Sequence, residues 1–231
     1  MIPKLIHQIW IGPNKEPTKW TNTIKNDYIQ AYPDYEYKLW NESNIDELFT
    51  EFPNIKIVYN LEKTWHGKSD ILRYLILYHY GGIYIDADSV WLNNKNFDDL
   101  INKCCGFFAA KENSGTIVNG VIGSYKNNKI FIKILKHIEG MIINKDGKIT
   151  NRSKQYYIDK ILHAGVSKVI GPGLFNRYVK DEEITIFPTH YFYPKCWHGI
   201  TDSDYHLKNE INEESFLFQY GYTTNNFEKK I

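Results

Sequence analysis

Apolar positions recur along this chain with two different periods, and the points where the period changes mark its elements. In the stretch 67–92, GKSDILRYLILYHYGGIYIDADSVWL, helical spacing gives way to strict alternation. At 100° per residue Ile71, Leu72, Leu75, Ile76 and His79 fall on one broad side of a helix, with Asp70, Arg73, Tyr74 and Leu77 on the other. Gly81-Gly82 ends that helix, since glycine accepts the left-handed position after a helix at little cost. Residues 83–88 then read as a strand carrying Tyr84, Asp86 and Asp88 on one face and Ile83, Ile85 and Ala87 on the other.

The same reading predicts a buried first strand over 4–11, broken by Gly12-Pro13, and a second over 35–40. Trp20, Ile24 and Tyr28 predict a helix over 18–31; shorter helices follow over 44–49 and 55–63, kept apart by Pro53. Downstream, strands are expected over 105–112 and 184–187, and helices over 97–102, 129–143, 156–164 and 175–179. Asn119-Gly120, inside the apolar stretch 115–124, reads locally as a turn. A βαβ start, then a buried helix, then an acid-bearing strand predicts an α/β fold with a half-Rossmann mixed sheet flanked by helices.

Composition narrows the chemistry. With 28 basic and 27 acidic residues the net charge is +1, so nothing favours capture of nucleic acid. A length of 231 residues suits a single domain, and no linker or repeat divides it. Cys104, Cys105 and Cys196 form no metal-binding or disulfide pattern, which fits a reducing compartment. No apolar run reaches the roughly 18 residues a bilayer span needs, and no signal peptide is visible. The expectation is a cytoplasmic protein (bacterial, or in the host cytosol for a viral chain), soluble or in peripheral contact with a membrane. No G-x-G-x-x-G or G-x-x-x-x-G-K-[ST] is present, which removes support for dinucleotide and P-loop sites.

The charged positions carry the functional signal. Asp86 and Asp88 at a strand end, backed by apolar residues, would repel each other and raise each other's pKa unless a cation lay between them. Oxygen ligands suit Mn²⁺ or Mg²⁺, which take one or two carboxylates and complete their shell with water and phosphate oxygens. Taken alone, Asp-x-Asp is also an ordinary strand-to-turn cap, and Asp70 with Arg73 an i,i+3 ion pair. Trp10 lies at the carboxyl end of the first strand, where ligands of open α/β sheets collect.

Ser69-Asp70, Arg73, Tyr74, Leu77, Gly81-Gly82-Ile83-Tyr84 and Asp86-Ala87-Asp88 together resemble the DXD-containing glycosyltransferases with the sugar-binding-region signature, and the opening Ile2–Trp10 segment, IPKLIHQIW, is a second match. The nucleotide-sugar core of the clostridial glucosylating toxins is similar. The resemblance implies a GT-A fold and transfer, with retention, of a hexose or N-acetylhexosamine from a nucleotide diphosphate sugar to a glycan or other hydroxyl acceptor. A UDP-sugar is expected ahead of GDP-mannose, with Mn²⁺ or Mg²⁺ as cofactor. It assigns metal binding to Asp88 and Asp86, donor contacts to Trp10, Asp70, Arg73, Tyr84 and Asp86, and an acceptor-side contact to Asn119. It also divides the chain, with donor binding mainly in 1–125 and the acceptor side and closing segment in 126–231.

The tail departs from the family pattern: Gln219 stands where a metal-holding histidine is expected, and Asn225 near the position of a tryptophan. Glutamine offers a neutral carbonyl oxygen to a hard cation; His190, His198 and His206 are other candidates. Two other readings stay open at this stage: a non-catalytic sugar-nucleotide or glycan-binding module, which would bind without turnover, and a nucleotide-sugar hydrolase, which would release free sugar without an acceptor.

Overall fold

The computed structural model describes residues 1–92, 95–195, 211–222 and 227. Its eight strands are β1 Leu5–Ile9, β2 Glu36–Trp40, β3 Gly82–Ile85, β4 Ser89–Trp91, β5 Phe107–Lys111, β6 Ile117–Ser124, β7 Thr185–Phe187 and β8 Leu217–Gln219. Six form a mixed sheet in the order β2-β1-β3-β6-β5-β7, and β4 with β8 forms a separate two-stranded ribbon. β1 runs parallel to β2 and β3, whereas β6 is antiparallel to both β3 and β5. The parallel half is covered by helices, as its near-continuous burial requires.

The helix Trp65–Tyr80 is the spine. Residues 70–77 are all buried, so the expected ion-bearing side faces protein rather than water. Thr64 caps its start by accepting from the Gly67 N–H at 3.2 Å. Gly81 (φ 67°) and Gly82 (φ 91°) end it, and a side chain at Gly82 would collide with the Leu5 carbonyl, so the turn demands glycine. The segment 18–31 is helical throughout but passes through a π-helical stretch at Thr23–Tyr28, keeping Trp20, Ile24 and Tyr28 in the core. The helix expected over 156–164 begins earlier, at Asn151, where Thr150 and Ser153 make a reciprocal cap.

Two expectations are corrected. The strand over 83–88 stops at Ile85: Asp86 makes one more bond, its N–H donating to Gly120 O at 2.9 Å, and Ser89 N–H then bonds Asp86 O at 3.0 Å to close a turn. Asn119-Gly120 is not a turn; both residues lie inside the eight-residue strand β6, buried between two neighbours.

His7 of β1 shows how burial fixes a tautomer. Its Nε2–H donates to Gly81 O at 2.9 Å, while Nδ1 accepts from Trp40 Nε1 at 3.1 Å, so the ring is neutral. Burial lowers its pKa to about 4, partly offset by the Gly81 bond. Between pH 6.5 and 4 the unfolded chain therefore binds a proton that the folded chain refuses, and stability is lost as pH falls through this window. The loss should reach about 3 kcal/mol at pH 4. Urea midpoints at pH 7 and pH 4.5 should separate less in a His7→Gln variant, which keeps a donor and an acceptor but does not titrate.

Candidate active site

The site forms where the carboxyl ends of β1 and β3 meet the Trp65–Tyr80 helix and the β4–β8 ribbon. Arg73 and Asp70, both 5% exposed, sit one turn apart on the helix. The Arg73 guanidinium lies 3.3 Å from Asp70 Oδ1 and 3.1 Å from Asp86 Oδ1, donates to Asn119 O at 2.6 Å, and stacks over the Tyr84 ring at 4.5 Å. Burial opposes its charge, but Asp86, Tyr84 and Asp70 hold its pKa above the usual value. Asp70 Oδ1 also accepts from Asn119 Nδ2 at 2.8 Å. Burial raises the Asp70 pKa, against the pull of Arg73 and Asn119.

Asp86 is gripped on one oxygen and loosely held on the other. Oδ1 takes Arg73 and the Tyr84 hydroxyl at 2.7 Å, whereas Oδ2 has Gln219 Nε2 at 3.3 Å. Asp88, two residues on, has Oδ2 fixed by the Tyr222 N–H at 2.7 Å and Oδ1 at 3.5 Å from Gln219 Nε2. Burial first, then Asp86, pushes the Asp88 carboxyl up to about 7. The ribbon explains why a residue 131 positions away reaches Asp88: Ser89 pairs with Gln219, and Tyr220 N–H donates to Asp88 O at 2.9 Å.

A cleft of about 360 Å³ opens in front of these groups. Trp10, Arg73, Tyr84, Asp86 and Asp88 line it, so five sequence-derived residues share one hollow. Trp10 meets the Tyr222 ring edge-on at 5.1 Å and anchors its Nε1–H to Asn14 O at 2.9 Å. Asp70 and Asn119 are not in the cleft wall. Asn119, read from sequence as an acceptor-side contact, is 4% exposed, and its Nδ2 donates to Asp70 and to the Tyr74 hydroxyl, which braces Asp70. Arg73 likewise serves first as the internal counter-charge of two carboxylates. His190 bonds Glu214 at 2.9 Å rather than the acids, and His198, His206, Asn225 and Cys196 lie outside the described residues.

Among the described residues no three His, Cys, Asp or Glu side chains converge as a metal cage. The donor set still fits a hard divalent ion. Asp86 and Asp88 are both within reach of the Gln219 amide, and Gln219 Oε1 is a buried carbonyl oxygen with no hydrogen-bond partner among the described residues. Such an ion would rest on two carboxylates and one amide oxygen, with phosphate and water completing the shell. Tyr222, Trp65 and His66 also line the cleft and were not singled out from sequence. The cap at Thr64, just ahead of the motif helix, was the available clue for Trp65 and His66. Tyr222 acts through a backbone N–H, which leaves no trace in residue type.

Residues 17–105 match the family model described as "Glycosyltransferase sugar-binding region containing DXD motif". Inositol phosphoceramide mannosyltransferase 3 of Schizosaccharomyces pombe is 32% identical over 144 residues, 62% of this chain and 39% of that protein. An uncharacterized glycosyltransferase of Acanthamoeba polyphaga mimivirus is 34% identical over 144 residues, 60% of this chain and 56% of that protein. The match thus spans little more than a third to about half of these relatives. Among solved structures, the PaToxG glycosyltransferase aligns over 78% of this chain and 70% of its own, with 24% identity and a TM-score of 0.55, a likeness of fold. Among the described residues no helix is long and apolar enough to cross a membrane.

Proposed function

We propose that this chain is a glycosyltransferase of the DXD-containing kind whose sugar-binding region it matches, and that on its GT-A fold it moves a hexose or N-acetylhexosamine from a nucleotide diphosphate sugar to a hydroxyl acceptor. The observation carrying this reading is the convergence of Asp86, Asp88 and the unpartnered Gln219 oxygen at one end of a cleft that holds Trp10. Breaking the donor's glycosidic bond puts negative charge on the diphosphate and positive charge on the anomeric carbon. A Mn²⁺ or Mg²⁺ ion held by Asp88, Asp86 and Gln219 supplies Lewis-acid neutralisation of the leaving diphosphate.

The chain's own groups do the rest. Trp10 offers an aromatic edge of the cleft for the nucleoside base. Arg73 and Tyr84 border the space beside Asp86 where the hexose fits, and Asp70 holds Arg73 in place from behind. Retention is what the resemblance implies, and because among the described residues no carboxylate other than Asp86 and Asp88 lines the cleft, front-face substitution, with the departing phosphate oxygen taking the acceptor proton, is favoured over a covalent glycosyl intermediate. Residues 1–125 would hold the donor and 126–231 the acceptor side. The mannosyl transfer named for the yeast relative makes a mannose donor the first to compare with the UDP-sugars favoured from sequence, and a glycan or lipid-headgroup hydroxyl the acceptor class to test, which suits peripheral contact with a membrane.

Thermal shift across UDP- and GDP-sugars with Mn²⁺ tests this. One donor at 100 times its dissociation constant should stabilise by about 2.7 kcal/mol. Trp10→Ala should weaken that donor by about ten- to a hundredfold, since base stacking contributes roughly 1–3 kcal/mol. Binding without transfer to any hydroxyl acceptor, or sugar release at full rate in water, would overturn the transferase reading.

A further inference from the structure

Beside Asp86 and the Gln219 oxygen lies one more buried polar atom, the Tyr193 hydroxyl, which the proposed chemistry leaves without a role. Tyr193 is 3% exposed and, among the described residues, its hydroxyl has no hydrogen-bond partner; Gln219 Oε1 is likewise buried and unpartnered among them. Both face the same glycine. An added Cβ at Gly120 would lie 2.8 Å from the Tyr193 hydroxyl, 2.7 Å from Asp86 Oδ2 and 3.5 Å from Gln219 Oε1. The absent side chain of Gly120 therefore leaves a gap in which phenol, carboxylate and amide face one another. A buried hydroxyl left unpaired costs about 1–3 kcal/mol, so two orphan atoms around one gap call for an explanation.

The two segments involved are tied together. Tyr193 follows the helical turn Thr189–Phe192, and the run-in to β8 is bonded to that turn by Phe216 N–H to Tyr191 O at 2.8 Å and by the Ser215 hydroxyl to His190 O at 2.6 Å. Tyr193 and Gln219 thus keep a fixed relation. The amide of Gln219 can exchange its oxygen and nitrogen by turning about its last torsion. In the structure described, nitrogen faces the carboxylates and bonds Asp86 Oδ2 weakly. An ion between the carboxylates needs the opposite orientation, and that turn strips Asp86 Oδ2 of its amide donor.

We propose that Tyr193 is a positioning residue for cation capture: its hydroxyl takes over Asp86 Oδ2 across the Gly120 gap when the Gln219 amide turns its carbonyl oxygen toward the ion. The inference rests on the metal-dependent reading of the site. It pairs both orphan atoms in one movement, Gln219 Oε1 with the ion and the Tyr193 hydroxyl with Asp86, and it gives Gly120 a reason to lack a side chain. Asp86 is then held on both oxygens, by Arg73 and Tyr84 on one and by Tyr193 on the other.

Tyr193→Phe removes one oxygen and, in the ion-free protein, no hydrogen bond. The experiment compares this variant with wild type in three measurements: melting temperature without metal, Mn²⁺ affinity by electron paramagnetic resonance with a nucleoside diphosphate present, and the near-ultraviolet tyrosine difference spectrum on adding Mg²⁺. The expected result is an unchanged ion-free melting temperature, Mn²⁺ affinity weaker by about tenfold, as for other groups that orient metal ligands, and a Mg²⁺-induced tyrosine band that at saturating ion is smaller in the variant than in wild type, Tyr84 and Tyr222 supplying the remainder. Equal Mn²⁺ affinity in the two proteins would overturn the role of Tyr193 while leaving the metal reading intact. A lower ion-free melting temperature in the variant would overturn it too, by showing the hydroxyl already bonded. Failure of the wild type to bind Mn²⁺ would overturn both.

Discussion

Asp88→Asn is expected to lower sugar transfer by about three orders of magnitude while leaving the fold intact. Asp88 is the carboxylate with the least support from its surroundings: one oxygen is held by the Tyr222 N–H, and the other has only a long contact to Gln219. Asparagine keeps the shape and an oxygen for Tyr222 but removes the charge a divalent ion needs. A single preorganised electrostatic contact to developing negative charge is worth about 10²–10³ in rate, and here the loss would extend to the ion itself. Without metal, D88N should melt no lower than wild type, because burial already works against the charged form of Asp88. Turnover at saturating donor, read beside a circular dichroism melt, checks both halves. A rate within tenfold of wild type would remove Asp88 from the metal site.

Arg73→Met is expected to act on stability first, with a loss of about 3–5 kcal/mol. The guanidinium is the charge partner of both Asp70 and Asp86, and neither acid has another cation within 4 Å among the described residues. Methionine fills much of the space and leaves a buried Asp70 and a partly exposed Asp86 without their cation, so the cost is that of stranded charge rather than of a cavity. Urea unfolding of R73M gives the size of the loss. Adding Asp70→Asn to R73M should recover part of it, because the double variant strands one acid instead of two. A loss below about 1 kcal/mol would mean that Arg73 belongs to the ligand more than to the protein.

The legible parts of this molecule are those whose signal is local. The helix at 65–80 follows from apolar spacing over four turns, and its end follows from two glycines whose positive φ values no other residue takes cheaply. Trp10 was legible from its place at the end of a buried strand. Alternation continues through Asp86 and Asp88 and so reads as strand, but the register with β6 ends at Ile85 and Val121, one further bond joins Asp86 N–H to Gly120 O, and Ser89–Trp91 pairs instead with the distant β8. Asn119-Gly120 carries a strong local turn signal that is overridden by its place inside β6, where Gly120 O accepts from the Asp86 N–H. That Asn119 also supplies a donor to the buried Asp70 leaves no local trace in the sequence, because the two residues are 49 positions apart. Tyr193 sits in no periodic pattern, and only three-dimensional proximity to Gly120 reveals it.

The ribbon between β4 and β8 has a practical bearing on any preparation of this protein. A molecule cut ahead of Leu217 would keep all six strands of the main sheet and nearly all its helices, so its far-ultraviolet spectrum would pass for that of the whole. It would nevertheless lack Gln219 and the Tyr222 cap on Asp88, and on the proposed function it would lower the apparent kcat of the mixture while leaving KM unchanged. Intact mass, rather than a folding assay, is the quality control that separates the two populations.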